Sequence, residues 1–179
     1  KDFIEKLNNI IIPQYLGWEI PKYEKQDTDK KIIVYNHRPH TYKDYPWFLK
    51  QMDKLWTQRQ DFKVWVPLSD SVTKPYMVND KYDRFGYFSK LSSCYLGICC
   101  KQKYGGWAVS ATDGMSVGVP YMFSNDSYYK ELAGDSGIYY DDEIGFLTRI
   151  NDLLDNRHLR NEWSKKSLNR FEMGKWEKA

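Results

Sequence analysis

From residue 31 onward, the sequence alternates short apolar runs with longer amphipathic segments. Short runs such as KIIVY and FKVWV are typical of buried strands, and the segments between them repeat apolar residues at helical spacing. A chain with this alternation favours an α/β fold with a mostly parallel sheet and helices on both faces. About six strands are predicted, at 31–35, 62–66, 76–78, 94–99, 119–123 and 137–140.

Six helices are predicted between and after these strands. Asp44 and Pro46 supply helix-start chemistry for the first, which ends at about residue 59. The others are expected at 81–92, about 108–117 and 127–134, followed by two helices with apolar faces that close the chain. Residues 1–30 do not join the alternation, because they combine an apparent helix end with a Pro-punctuated extended segment.

Charge, hydropathy and cysteine usage exclude several classes of protein. The 27 basic and 24 acidic residues are mixed along the chain, a balance too mild to predict nucleic-acid binding by itself. No apolar run approaches the roughly 20 residues that cross a bilayer. Three clustered cysteines, Cys94, Cys99 and Cys100, suit neither a disulfide framework nor a metal clip, which predicts a reducing, cytoplasmic setting.

The first loop with unusual chemistry is NHRPHTYKD, which follows the first strand and leads into a helix. Ligands of open α/β sheets bind beyond the carboxyl ends of the strands, and cations at a helix start form a phosphate site. Arg38 and Lys43 are the predicted cations, and the alternative is a solvated basic loop. His37 and His40 could bind a metal with a third group, but we expect His37 to line the phosphate loop.

The second unusual loop is KQKYGGWAVSATD, in which Gly105 and Gly106 precede a helix. Glycine lets backbone amides approach an anion closely, and a helix N-terminus favours negative charge. Asp113, about two turns into that helix, would have to point sideways to reach a ribose hydroxyl. The alternative is that the glycines only form a tight turn. The dinucleotide G-x-G-x-x-G pattern and the Walker lysine motif are both missing from the sequence.

Together these loops resemble the C-terminal, nucleotide-sugar-binding domain of retaining type 4 GT-B glycosyltransferases, over residues 31 to about 170. That family has an Arg followed five residues later by a Lys, the spacing of Arg38 and Lys43. It then has an acid, a Gly-Phe-Gly-like stretch, a second acid, Ala-Met and Gly-x-Pro. The stretch GGWAVSATDGMSVGVP follows that layout, as do the later YYKELAGDSGIYYDDE and LLDNRHLRNEW. Two positions depart from it: Gly105 replaces the first acid, and Asp113 is shorter than the usual Glu.

The resemblance implies a Rossmann-like half of a GT-B enzyme that binds a nucleoside-diphosphate sugar, here expected to be a UDP-sugar, with no essential metal. Arg38 and Lys43 would act in catalysis by neutralising the departing diphosphate. In the family the first acid lies near the donor sugar and phosphate, and the second holds the ribose. The expected donor-binding residues are Asn36, His37, Gly105, Gly106, Trp107, Ala108 and Asp113.

The same resemblance implies that residues 1–30 are the tail of an N-terminal acceptor domain plus the interdomain connector, and that residues 31–179 form the donor domain, inactive by itself. The acceptor stays open between a glycan, a small molecule and, as in phage enzymes, modified DNA. The alternative from another class is a degenerate, non-catalytic interaction module. Asp27-Thr28-Asp29 matches the metal motif of GT-A enzymes, but a solvated loop is favoured because no strand precedes it.

Overall fold

Strands and helices alternate along the chain as the sequence predicts. The computed structural model describes residues 30–71, 73–106 and 108–173. The strands are β1 (Lys31–Val34), β2 (Phe62–Trp65), β3 (Met77–Val78), β4 (Leu96–Cys99), β5 (Tyr121–Ser124) and β6 (Ile138–Tyr140). The helices are α1 (Tyr45–Gln58), α2 (Arg84–Ser92), α3 (Val109–Ser116), α4 (Ser127–Ala133), α5 (Glu143–Asp155) and α6 (Arg157–Met173).

All strand pairs are parallel, in the order β3-β2-β1-β4-β5-β6. The order reverses between β1 and β4, so the loops that leave these strands diverge from a crevice at their carboxyl ends. The two loops are joined there by a backbone hydrogen bond from Lys103 N to Tyr42 O, 3.0 Å long. The two unusual loops of the sequence therefore lie side by side at the point where α/β sheets bind ligands.

Helices cover both faces of the sheet, which confirms the predicted fold class. On one face, Phe48 and Leu55 of α1 and Phe146 of α5 pack on the strands. On the other face, Phe88 of α2 and Met115 of α3 belong to a second buried cluster. Because both faces are buried, the strands are nearly continuous apolar runs, as the sequence shows.

The helix starts use two kinds of local chemistry. Asp83 and Asp142 cap α2 and α5 by accepting from the amides of Gly86 and Gly145, at 2.8 and 2.7 Å. Asp44 precedes α1 but has a left-handed backbone, with φ of 55°, and its side chain makes no capping hydrogen bond. The predicted start of α1 is therefore in the right place, but Asp44 contributes to it through backbone conformation.

Several predictions concern positions outside the described residues. They include the segment 1–29 with its Asp27-Thr28-Asp29 motif, Trp107 in the glycine loop, and the chain end from residue 174. Among the helices that the structure describes, none combines the length and apolar character needed to cross a membrane.

Candidate functional site

A cleft of about 600 Å³ opens at the carboxyl edge of the sheet. This volume lies within the range of small-molecule sites, roughly 300–1,000 Å³. Its walls come from Asn36 after β1, the loops after β2 and β3, and side chains of α2 and α3. The lining residues are Asn36, Trp65, Pro67, Leu68, Asp70, Lys81, Tyr82, Asp83, Arg84, Tyr87, Ser110 and Asp113.

Lys43 lies where the loops after β1 and β4 meet. Its ammonium donates a hydrogen bond to the Gln102 side-chain oxygen, and burial lowers its pKa. Gln102 is itself fastened, because its Nε2 donates to the Tyr129 hydroxyl at 3.0 Å and its backbone N donates to the Tyr128 hydroxyl at 2.9 Å. A neutral amide thus holds the Lys43 cation, and no carboxylate among the described residues forms an ion pair with it. This arrangement leaves positive charge available to an anion.

Arg38 and His40, on the same loop, are both exposed. The His40 ring accepts a hydrogen bond from the backbone N of Tyr42 at 3.3 Å and caps a short 3-10 turn, Thr41–Lys43. Among the described residues, no group of three His, Cys, Asp or Glu side chains is arranged to hold a metal. His40 therefore has a local structural role, while Arg38 is an exposed cation on the same loop as Lys43.

His37 is buried beneath the loop. Its Nε2 lies 3.0 Å from Cys99 Sγ, and its Nδ1 lies 2.7 Å from Ser110 Oγ. Burial, and secondarily the charge of Lys43, lower the pKa of His37 to about 3, so the ring is neutral at physiological pH. His37 therefore brings no charge to a phosphate and instead ties the β1 loop to α3 through Ser110.

The glycine loop brings bare backbone to the start of α3. Gly105 and Gly106 have φ of 29° and 134°, a region that favours glycine. A Cβ at Gly106 would meet no atom within 4 Å, so backbone conformation, and not lack of space, requires glycine there. Ala108, the next predicted residue that the structure describes, is buried and its carbonyl accepts the first bonds of α3. The loop is connected to Lys43 through Gln102, whose Nε2 donates to the Gly106 carbonyl at 3.5 Å.

Asp113 is half-buried on α3 and lines the cleft. Tyr87 Oη lies 3.3 Å from Asp113 Oδ2 and donates to it. Burial raises the pKa of Asp113 to about 6, while the Tyr87 hydrogen bond and the charge of Arg84 act in the opposite direction. Asp113 is therefore mostly ionised at pH 7 but titrates within one pH unit of it.

Asn36 is committed to contacts within the protein. Its Nδ2 donates to the Tyr87 hydroxyl at 2.9 Å and to the Ser110 carbonyl at 2.7 Å. Its Oδ1 accepts from the Tyr121 hydroxyl at 3.0 Å. Both amide protons are used, so a ligand could approach only the remaining lone pair of Oδ1. Asn36 lines the cleft mainly as a support for its neighbours.

The Tyr121 ring reaches Asn36 because Gly97 and Gly114 have no side chains in the space that the ring occupies; we call this space the slot around Tyr121. A Cβ on Gly97 of β4 would lie 2.3 Å from the Tyr121 ring, and one on Gly114 of α3 would lie 2.2 Å from it. Sequence analysis missed the roles of Tyr121, Tyr87 and Gln102. A signal was present, since a glycine inside a strand often marks the close approach of another group, but nothing in the local pattern identifies the group.

The comparisons with known proteins concern structure, since no family model and no curated protein matches the chain. *Staphylococcus aureus* TarM, solved with UDP, superposes with a TM-score of 0.72 at 14% identity, covering 96% of this chain and 38% of its own. The fold is that of a GT-B half-domain. The catalytic domain of *Helicobacter pylori* cholesterol-alpha-glucosyltransferase superposes with a TM-score of 0.66 at 13% identity, covering 81% of this chain and 99% of its own.

A third solved structure, sucrose-phosphate synthase of *Thermosynechococcus elongatus*, has a TM-score of 0.63 at 13% identity, with 81% of this chain and 41% of its own covered. The GT-B half-domain fold confirms the sequence-based resemblance at the level of fold. In a second TarM structure the chain spans 34% of that protein, about one third of its length. A GT-B half-domain of this size matches one part of such enzymes.

Proposed function

We propose that this domain binds a nucleoside-diphosphate sugar, with a UDP-sugar as the expected donor, and stabilises the diphosphate as it leaves during glycosyl transfer. The observation that carries the proposal is that a cation and glycine backbone lie on two loops that meet at the switch point of the sheet, next to a cleft that a carboxylate lines. The half-buried Lys43 is hydrogen-bonded to Gln102 where the β1 and β4 loops meet, and the half-buried Asp113 lines the cleft wall on α3. The GT-B half-domain fold and the UDP complex of TarM support it.

We assign the diphosphate to a phosphate end that lies outside the cleft lining, formed by Arg38, Lys43, Gly105 and Gly106 on the two loops. When the bond between the sugar and the diphosphate breaks, negative charge grows on the diphosphate oxygens, and preorganised donors there lower the barrier. Lys43 is partly removed from water, which strengthens its interaction with an anion. Arg38 is exposed, so water and salt screen its contribution more.

At the nucleoside end, formed by Asp113, Tyr87 and the loops after β2 and β3, the cleft offers a carboxylate and apolar surface. An ionised Asp113 can accept hydrogen bonds from ribose hydroxyls. Leu68 and Tyr82 line the same cleft and are 52% and 46% exposed, large fractions for apolar and aromatic side chains. We propose that the base of the donor covers them. Because Lys43 and Arg38 oppose the diphosphate charge, no essential metal is required.

In this proposal the acceptor site lies on an N-terminal domain, with residues 1–30 as its tail and the connector, and residues 31–179 as the donor domain. Acceptors that fit are a glycan, a small molecule or modified DNA. The three buried free thiols support a reducing, cytoplasmic setting. One observation favours a second function: Gly105 stands where related enzymes have an acid. On that basis the alternative is a non-catalytic binding module of the same fold.

The experiment that tests the proposal is calorimetric titration of the 179-residue chain with UDP, GDP and ADP, with and without Mg²⁺. Binding of one nucleoside diphosphate without metal, weakened by Lys43→Ala, is expected. The matched control is Lys63→Ala, an exposed lysine on β2 whose Nζ donates to the Pro75 carbonyl at 3.0 Å. No binding of any of the three would contradict the donor-site proposal. Binding without sugar transfer by the longer parent protein would favour the non-catalytic module.

A further inference from the structure

The Asp113 carboxylate receives one hydrogen bond from the described residues, and it comes from Tyr87 on a different helix. The direction of that bond can be assigned from heavy-atom contacts alone. Asn36 Nδ2 contacts the backbone carbonyl of Ser110, which can only accept, so this atom must be the amide nitrogen. The same nitrogen contacts Tyr87 Oη, and the tyrosine oxygen therefore accepts from Asn36.

A phenol has a single proton. Because Tyr87 Oη accepts from Asn36, its own proton is available for the Asp113 oxygen 3.3 Å away. Burial raises the pKa of Tyr87, so the hydroxyl keeps that proton throughout the physiological range. Asn36 is oriented in turn by the Tyr121 hydroxyl, and the Tyr121 ring is confined between Gly97 and Gly114. Tyr121 thus donates to Asn36, Asn36 donates to Tyr87, and Tyr87 donates to one oxygen of Asp113.

We propose that Tyr87 is a positioning residue for Asp113: its hydroxyl, oriented by Asn36, holds one carboxylate oxygen and leaves the other facing the cleft for the ribose. This inference rests on the proposed function and deepens it. Asp113 has one methylene fewer than the glutamate of related enzymes, so its carboxylate starts closer to the helix backbone. The Tyr87 hydroxyl, which donates from α2, fixes the orientation of the Asp113 carboxylate. The same hydrogen bond favours the ionised form of Asp113.

Other groups around the cleft do not replace this hydrogen bond. Asp83 caps Gly86, and Asp70 pairs with Lys81 at 2.6 Å. Arg84 acts on the Asp113 carboxyl through its charge. The charged and titratable residues that line the cleft around Asp113 are Asp70, Lys81, Tyr82, Asp83, Arg84 and Tyr87. Among them Tyr87 is the one whose hydrogen bond to Asp113 is seen.

The direct test is a ¹³C NMR titration of the Asp113 carboxyl in the chain without ligand, compared between the parent and Tyr87→Phe. Removing the phenol is expected to raise the carboxyl's titration midpoint above that of the parent. The matched control is Tyr139→Phe, which removes a hydroxyl that donates to the Gly134 carbonyl at 2.7 Å; it should leave the midpoint unchanged. Equal midpoints in the parent and Tyr87→Phe would overturn the proposal.

A second measurement connects the hydrogen bond to the ligand. At pH 7, Tyr87→Phe is expected to weaken UDP binding about fivefold and to leave binding of inorganic diphosphate unchanged, since only UDP has a ribose. Equal weakening of both ligands would instead show a general structural defect and contradict a positioning role. If the parent binds no UDP, the donor-site proposal fails, while the carboxyl titration still decides whether Tyr87 positions Asp113.

Discussion

At the proposed phosphate end, Lys43 has one side-chain hydrogen-bond partner among the described residues, Gln102, and Arg38 is exposed to solvent. At the nucleoside end, Asp113 is reached by a series of hydrogen bonds through Tyr87 and Asn36 that begins in the core. The difference has a physical reason. A diphosphate can be held by charge from several directions, whereas a ribose needs an acceptor at a defined place and angle. The nucleoside end is therefore expected to be the more sensitive to packing and pH.

The strongest test of whether the nucleoside end is the more sensitive to packing is Gly114→Ala. This substitution places a methyl group against the Tyr121 ring. The ring cannot withdraw easily, because Gly97 contacts its other side and its hydroxyl is bonded to Asn36. We expect a loss of about 2–3 kcal/mol in the free energy of unfolding, measured with urea.

The matched control for that substitution is Gly145→Ala in α5, where the nearest atom to a new Cβ is Asp142 Oδ1 at 3.3 Å. Its effect on the free energy of unfolding is expected to be much smaller. If both variants unfold alike, the slot around Tyr121 does not constrain the nucleoside end.

The next largest effect is expected at the phosphate end. Lys43→Ala should weaken UDP and inorganic diphosphate alike, by about tenfold or more, because it removes a charge-assisted contact in partly desolvated surroundings. Arg38→Ala should cost only about twofold to threefold, and that loss should fade as salt is raised. Calorimetry at two salt concentrations measures the affinity lost in each variant. Equal losses for Lys43→Ala and Arg38→Ala would contradict the expectation that the half-buried cation contributes more than the exposed one.

Asp113→Asn separates the nucleoside end from the phosphate end. Since the amide keeps the size of the side chain but loses the negative charge, we expect UDP to bind about fivefold more weakly while inorganic diphosphate binds as before. Competition between the two ligands on one sample is the most sensitive measurement. A parallel loss for both would assign Asp113 to the phosphate end or to folding.

The smallest expected effect is on pH dependence. The pKa of Asp113 is raised to about 6, so the ionised form that we propose accepts from ribose is lost as pH falls through that value. UDP affinity relative to inorganic diphosphate should fall about threefold between pH 7.5 and 5.5. His37 stays neutral in this range, because its pKa is lowered to about 3. The Asp113→Asn variant should lack this relative change, and its persistence there would implicate another group.

Local sequence pattern was enough to predict the α/β fold and the six strands and six α-helices that the described residues form, because buried parallel strands and amphipathic helices differ in hydrophobic period. It also indicated the two loops beyond β1 and β4, since strand order at the switch point brings such loops together. The sequence predicts Asp113 on the helix after the glycine loop, and it lies on α3. These inferences need only short-range periodicity and the general rules of sheet topology.

Tertiary packing decided the rest. That His37 is neutral and buried follows from Cys99 and Ser110, which lie 62 and 73 residues away in the chain. The role of Tyr87 depends on Asn36, 51 residues before it. The space for Tyr121 depends on glycines in β4 and α3. Hydrogen-bond direction, burial and pKa depend on which groups meet in three dimensions, and a linear pattern does not contain that information.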